Sequence, residues 1–183
     1  MDANPVQHVV DAYAFARHGD SRSGSVRLSA LVRASQDLPP QPDGEAGVVR
    51  WSAKGERDNV GLFYIRLSVQ AKPVLECQRC MQLFSFPIDS EAVLQLVNSP
   101  DKLELDSDDE DEVQEDAPEK VLGTQRFNLL EQVEDELVLS LPYVPKHEQC
   151  VDVASLAPEP DAAFEESQKR PSPFAGLAQL KSK

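Results

Sequence analysis

The sequence predicts an α+β fold in which an antiparallel β-sheet of about four or five strands packs with two helices. Apolar and polar residues alternate over much of residues 49–96, which is the period of half-buried strands. Near residues 4–18 and 128–141 the apolar residues recur at helical spacing instead. A densely acidic segment, residues 100–119, separates the sheet from the second helix and predicts a disordered loop.

The N-terminal helix is predicted over residues 4–18. Asn4 is suited to cap this helix, and Gly19 is placed to end it. Its apolar stripe indicates packing on the core of the domain. His8 and His18 fall off that stripe, so we expect both side chains to be solvated.

Strands are predicted from residue 25 onward. Residues 25–34 alternate in polarity, and the alternation resumes after a Pro- and Gly-rich loop at residues 36–47. The most regular stretch is residues 63–71, where every second residue is apolar. Beyond a Cys-x-x-Cys turn the same parity continues to residue 96, and Pro87 within it indicates an edge or a bulge.

A second helix is predicted near residues 128–141. Asn128 is a suitable N-cap, with Glu131 three residues later as in a capping box. The apolar stripe of this helix consists of Leu129, Leu130, Val133, Leu137 and Leu141. Glu134 and Asp135 lie off the stripe, and we interpret them with Glu131 as an acidic solvent face rather than as acid-base groups.

The chain is predicted to form one domain with an internal loop and a tail. Residues 1–99 contain the first helix and the β-meander with its Cys-x-x-Cys turn, and residues 100–119 form the acidic loop. Residues 120–150 return to the same domain with the second helix and a His-x-x-Cys segment. Residues 151–183 are a Pro- and acid-rich linker followed by a basic, apolar C-terminal tail.

The charge of the 183-residue chain is concentrated in one place. The formal net charge is -14, and residues 100–119 hold eleven acids against one base. Residues 1–99 are nearly neutral, which argues against a broad basic face for nucleic acid. The weak candidates for RNA contact are four arginines in a locally basic stretch, for which a solvated face is the simpler interpretation: Arg17, Arg22, Arg27 and Arg33.

The composition also indicates where the protein works. Asp2 stands where a signal peptide would carry a basic residue, and no apolar run approaches the length of a membrane span. Three cysteines are an odd number, which argues against a secreted disulfide framework. We therefore expect a cytoplasmic protein that has no contact with membranes.

The sequence contains no motif of several common enzyme classes. There is no phosphate-binding loop with Gly-Lys-Ser/Thr, no strand-linked Gly-x-Gly-x-x-Gly and no Gly-x-Ser-x-Gly elbow. We predict neither catalytic residues nor a small-molecule substrate.

The cysteines are the candidates for site chemistry. Cys77 and Cys80 lie between two stretches that are typical of strands, which indicates a zinc knuckle in a hairpin turn. His147 and Cys150 have the same spacing and can complete a Cys₃His set for a structural zinc ion. Two alternatives remain open: a redox pair, which more often begins a helix, and two small residues at a buried turn.

Three segments resemble a known family: VLECQRCMQLFSFPI, VEDELVLSLPYVPKHEQC and PFAGLAQLKSK, in this order. On them the chain is similar to the YceD family, the large ribosomal RNA subunit accumulation proteins of bacteria, over nearly its whole length. The resemblance implies a role in the synthesis, processing or stability of 23S ribosomal RNA, with no established catalytic activity. Some members carry a more cysteine-rich segment after the second helix, where this chain has only His147 and Cys150.

The residues and the resemblance together predict a non-catalytic ribosome biogenesis factor. A small acidic protein is expected to act by binding a basic ribosomal protein or an rRNA-processing factor, whose charge the acidic loop complements. The alternatives are direct RNA binding through the four arginines and the basic tail, and a thiol oxidoreductase at Cys77 and Cys80.

Overall fold

The computed structural model of the chain describes residues 8–103, 118–148 and 150. The helices and strands follow this order: β1 (Val9–Val10), α1 (Ala12–His18), β2 (Ser21–Arg27), α2 (Val32–Ser35), β3 (Val48–Arg57), β4 (Phe63–Ala71), β5 (Val74–Glu76), β6 (Leu83–Ser85), β7 (Ile88–Val97), β8 (Glu119–Leu122), β9 (Phe127–Asn128) and α3 (Leu129–Ser140). All of them belong to residues 1–147, which form one compact unit, and the second unit begins at Glu148.

The main sheet has five strands in the order β2, β3, β4, β7 and β8. Neighbouring strands are antiparallel except β7 and β8, which run parallel. The connection between those two strands spans residues 98–118, which is long enough for the crossover that a parallel pair requires. The predicted α+β fold with a sheet of four or five strands is confirmed, although its last strand is parallel.

One face of the sheet carries the core. The alternating residues of β3 and β4 that the sequence places on one side are buried: Val49, Trp51, Ala53, Ile65, Leu67, Val69 and Ala71. On the same strands Arg50, Lys54 and Arg66 are exposed. α1 packs against β3 and β4, and α3 packs against β4 and β7. The domain therefore consists of a helical layer on one side of an open sheet.

The N-terminal helix begins later than the sequence predicts. α1 starts after Asp11, whose carboxylate accepts the backbone N–H of Ala14 at 2.9 Å, and β1 instead pairs with β9. Asn4, the predicted cap, lies outside the described residues. The predicted end is confirmed, because Gly19 adopts the left-handed conformation (φ 66°) that glycine accommodates best.

The close approach of α1 to the sheet depends on Gly55 of β3. A Cβ atom at this position would lie 2.3 Å from the carbonyl oxygen of Phe15. Phe15 and Ala16 are buried at this contact. Any larger side chain would therefore push the helix away from the strand.

The prediction of one strand over residues 25–34 is wrong beyond Arg27. There the chain forms a 3₁₀ turn and then α2. The buried residues are Leu28, Leu31 and Ala34, which recur every third residue as in a helix. Val32, which the alternating pattern placed with the buried side, is 70% exposed.

The second helix is confirmed as α3. The Asn128 side chain accepts the N–H of Leu130 at 3.1 Å, and its amide donates to the Glu131 carboxylate at 3.0 Å. Leu129, Val133 and Leu137 are fully buried on the stripe that the sequence predicts. The acidic loop falls largely on residues outside the description, and its disorder stays a prediction. No helix among the described residues has the length and hydropathy to cross a membrane.

Candidate metal centre

The Cys-x-x-Cys motif forms the turn between β5 and β6. The Cys77 carbonyl accepts the Met81 N–H at 2.8 Å, and the Cys77 N–H donates to the Gln82 carbonyl at 2.9 Å. These bonds wind the chain so that both sulfurs come from one tight loop. Cys77 is fully buried and Cys80 is 9% exposed. Met81 completes the turn with a φ of 59°, a conformation that is uncommon outside glycine.

The segment that follows α3 lies against this turn. α3 stops before Pro142, because proline has no N–H and holds the preceding residue in an extended conformation. The Gln78 N–H then donates to the Pro145 carbonyl at 3.0 Å. The Arg79 guanidinium lies 3.4 Å from the His147 carbonyl oxygen. These contacts place His147 beside the two cysteines.

The distance between Cys80 and His147 matches that of two ligands on one ion. The Cys80 Sγ atom lies 3.6 Å from Nε2 and 3.9 Å from Nδ1 of His147. Bond lengths of about 2.3 Å to sulfur and about 2.0 Å to nitrogen at a tetrahedral angle place the two atoms about 3.5 Å apart, close to the distance from Sγ to Nε2. The imidazole also lies beside the Phe84 ring, with 5.4 Å between the ring centroids.

The four predicted ligands come together. One ligand atom from each of Cys77, Cys80, His147 and Cys150 lies within 4.8 Å of the other three. Three thiols and one imidazole are a donor set that suits zinc, and four protein ligands would leave no open position. The arrangement therefore fits a closed structural site, whereas occupancy by zinc stays a prediction.

The position of Cys77 and Cys80 in a turn between two strands is relevant to the alternative that they form a redox pair. The residues between the two cysteines form a turn between strands, and no described helix begins there. In many Cys-x-x-Cys oxidoreductases a helix dipole lowers the pKa of the first thiol. No helix of the described residues supplies such a dipole at Cys77.

The four candidate arginines make different contacts. Arg17 lies 6.0 Å from the centre of the Phe63 ring, and Arg22 donates to the Ser21 carbonyl at 3.0 Å. Arg27 lies 3.7 Å from an Asp43 carboxylate oxygen. Their role in RNA binding stays a prediction.

Arg33 is held by the carboxylates of α3. Its guanidinium bonds to Asp135 at 2.6 Å and to Glu134 at 3.4 Å, which keeps the pKa of Arg33 above its usual value. Glu134 also accepts the backbone N–H groups of Arg33 and Ala34 at 2.6 Å and 3.3 Å. The prediction of an acidic solvent face on α3 is therefore wrong for Glu134, whose side chain is 13% exposed, whereas the Asp135 side chain is 46% exposed and pairs with Arg33 at the surface. Nothing in the sequence indicates this pairing, because its partners lie about a hundred positions apart.

His8 is buried, contrary to the prediction that it is solvated. Its side chain is 7% exposed and its ring stands edge-on to Trp51, with 5.5 Å between the centroids. The helical pattern of the N-terminus misplaced this residue, because His8 precedes β1 rather than lying in a helix. Its carbonyl oxygen accepts the N–H of Leu129 at the start of α3. His18 is exposed as predicted.

Comparison with known proteins supports the resemblance seen in the sequence. The family model described as "Large ribosomal RNA subunit accumulation protein YceD" matches residues 65–181. A protein of this name from Haemophilus influenzae is 36% identical over 124 residues, which cover 67% of this chain and 67% of the relative. No solved structure shows significant similarity to the chain. The matched range contains both halves of the candidate metal centre.

Proposed function

Because the chain belongs to the YceD family of large ribosomal RNA subunit accumulation proteins, we propose that it supports the accumulation of 23S ribosomal RNA. The observation that carries this proposal is the family match over residues 65–181. The role covers the synthesis, processing or stability of the RNA.

The protein acts by binding rather than by catalysis in this proposal. The sequence lacks the motifs of phosphate-binding, dinucleotide-binding and serine-hydrolase enzymes. The cluster with the clearest chemistry has the donor set of a closed structural zinc site. Such a site would fasten the β5–β6 turn to the segment after α3.

The partner in this proposal is a basic ribosomal protein or an rRNA-processing factor. A net charge of -14 repels RNA phosphates and attracts basic proteins. The eleven acids of residues 100–119 supply most of that charge in one short segment. Complementary charge raises the rate of encounter and selects the partner more than it tightens the final complex.

The test is complementation of cells that lack the protein, with the ratio of 23S to 16S ribosomal RNA as the readout. The full chain is expected to restore the ratio. A variant in which every Asp and Glu of residues 100–119 becomes Asn or Gln keeps the length of the segment and should lose both partner binding and complementation. An unchanged ratio in cells without the protein contradicts the proposed role.

A control variant tests whether the net charge of residues 100–119 or the order of the residues in this segment is what matters. It carries the acidic segment in scrambled order, which keeps its net charge, and should complement as well as the wild type. If the neutralised variant also complements and binds its partner, the acidic segment is not the agent. Direct RNA binding would instead show as a steep salt dependence that is lost when Arg17, Arg22 and Arg27 are neutralised.

A further inference from the structure

A groove lies between the loop of residues 36–40 and the β5–β6 hairpin. Its volume is about 660 Å³. A cavity of this size accommodates a ligand as large as a short peptide segment. Its apolar lining includes Leu38, Leu75, Leu83 and Pro145.

The floor of the groove is an edge of β5. The Cys77 N–H bonds to the Gln82 carbonyl, and the Phe86 N–H bonds to the Pro73 carbonyl, both at 2.9 Å. In an antiparallel pair the bonded and non-bonded positions alternate, and Glu76 stands opposite Leu83 at a non-bonded position. The backbone N–H and C=O of Glu76 therefore point away from β6.

Two other parts of the chain already form hydrogen bonds with this edge, one on each side of Glu76. The Gln41 side chain accepts the Val74 N–H at 2.9 Å and donates to the Val74 carbonyl at 3.0 Å, as a neighbouring strand would. The Gln78 N–H donates to the Pro145 carbonyl at 3.0 Å. Between them, no residue of the described ranges bonds to the backbone of Glu76. The edge is thus open at one position inside the groove.

The charge of the groove indicates what can enter it. Asp37 and Glu76 belong to its lining, and none of the described residues that line the groove is a lysine or an arginine. Both side chains are exposed. A cationic segment therefore meets two carboxylates, whereas an acidic segment would be repelled.

We propose that this groove binds an extended segment of a basic protein partner, which pairs with the backbone of Glu76 as a short added strand. In strand addition the main chain supplies hydrogen bonds, and alternate side chains supply specificity. Lysine or arginine side chains face Asp37 and Glu76, and an apolar side chain contacts Leu83. The inference rests on the proposed function, since it names the surface that takes the basic partner.

The test uses the full chain loaded with zinc and a defined peptide, acetylated and amidated, in which four lysines alternate with three valines. Its Kd is measured by fluorescence anisotropy at low salt, beside a peptide with glutamate in place of lysine. The lysine peptide is expected to bind at least tenfold more tightly, and to shift the Glu76 amide resonance in NMR spectra. Equal binding of both peptides, or no binding of either, overturns the proposal.

Substitution by proline tests the strand edge itself. Glu76→Pro removes the outward N–H and leaves the bonds to β6, because this N–H faces away from that strand. The loss of one donor is expected to weaken peptide binding by about five- to tenfold. The matched control is Glu76→Gln with Ser85→Pro, which also removes the Glu76 carboxylate but places proline at the opposite edge of the same hairpin, where the Ser85 N–H points outward. Equal Kd values for the two variants contradict strand addition.

Charge reversal tests the choice of partner. Asp37→Lys with Glu76→Lys is expected to weaken binding of the lysine peptide at least tenfold. Asp89→Lys with Glu91→Lys makes the same change on the exposed face of the main sheet and should leave the Kd within twofold. If both pairs weaken binding equally, the peptide responds to net charge only, and the groove is not its site.

The rRNA assay separates this inference from the proposed function. If the Asp37→Lys, Glu76→Lys variant loses peptide binding and fails to restore the 23S ratio, both stand. If it loses the peptide but restores the ratio, the groove does not take the partner and the inference fails while the function stands. If cells without the protein have a normal ratio, the proposed function fails whatever the peptide does.

Discussion

Met81 is the residue that follows the second cysteine of the motif, and its backbone has a φ of 59°. A side chain in this left-handed conformation costs about 1–2 kcal/mol, which glycine avoids. We expect Met81→Gly to raise the free energy of unfolding of the zinc-loaded chain by about 1 kcal/mol, because the Met81 side chain is 67% exposed and contributes little packing.

The control is Met81→Ala, which removes the same exposed side chain but keeps the Cβ atom. It should leave the stability within about 0.5 kcal/mol of wild type in urea unfolding. Equal effects of glycine and alanine would show that the backbone of the turn is not strained at this residue.

His8 makes the stability depend on pH. Burial lowers the pKa of this imidazole below its usual value of 6.5. Neither ring nitrogen has a hydrogen-bond partner among the described residues. The unfolded chain therefore takes up a proton more readily as the pH falls below about 6.5, and this destabilises the folded state.

The His8→Phe variant keeps a ring beside Trp51 and removes the titration. We expect it to lose less of its free energy of unfolding than the wild type between pH 7.5 and pH 5.5, as measured by urea unfolding. The two chains share all their other titratable groups, so the difference between them reports on His8. Identical losses in the two chains would mean that His8 is accessible to protons in the folded state.

At the scale of elements, Glu134 joins α2 to α3. Its carboxylate accepts two N–H groups at the start of α2, which otherwise has no side-chain cap. Loss of such a cap costs about 1 kcal/mol, whereas an exposed ion pair contributes about 0–1 kcal/mol. Glu134→Ala should therefore destabilise the chain by about 1 kcal/mol, and Asp135→Ala by about half of that or less.

Amide hydrogen exchange provides a local readout of this contact. The N–H of Ala34 is expected to exchange faster in Glu134→Ala than in Asp135→Ala, since only Glu134 bonds to it. Equal exchange rates in the two variants would show that the guanidinium pairing, rather than the cap, holds α2 in place.

The elements that sequence predicts well are those with a long, consistent period. β3, β4 and α3 each repeat their pattern over nine or more residues, so local and tertiary preferences agree. The segment of residues 28–34 is too short for its apolar residues to distinguish a repeat of two from a repeat of three. In the structure Leu28, Leu31 and Ala34 are buried, which is the spacing of helical turns. The ion pair between Arg33 and Glu134 has no pattern in the neighbouring sequence that would predict it, because tertiary packing alone brings the two residues together.

At the scale of the whole molecule, the sequence predicts which residues are candidate ligands, but not that their side chains come together. Cys80 and His147 are separated by 66 residues, a distance over which spacing carries no geometric information. Their approach depends on backbone contacts such as the bond from Gln78 to Pro145. Such contacts follow from the packing of α3 on the sheet rather than from any motif.

A bound metal ion is expected to link the β5–β6 turn to the segment after α3 and so to stabilise the fold. Structural zinc in small domains contributes on the order of 10 kcal/mol. Removal of zinc by a chelator is therefore expected to lower the midpoint of thermal unfolding by at least about 10 °C. Addition of zinc should restore it, and Cys80→Ser should abolish the response. If the chelator leaves the midpoint of thermal unfolding unchanged, the fold does not depend on a metal.

The metal content of the full, tag-free chain, measured by elemental mass spectrometry beside the Cys77→Ser variant, tests the zinc site most directly. The wild-type chain is expected to hold about one zinc ion, and the variant a small fraction of that. A folded wild-type chain with no stoichiometric metal would contradict this expectation, and Cys77, Cys80, His147 and Cys150 would then only pack together at a buried turn.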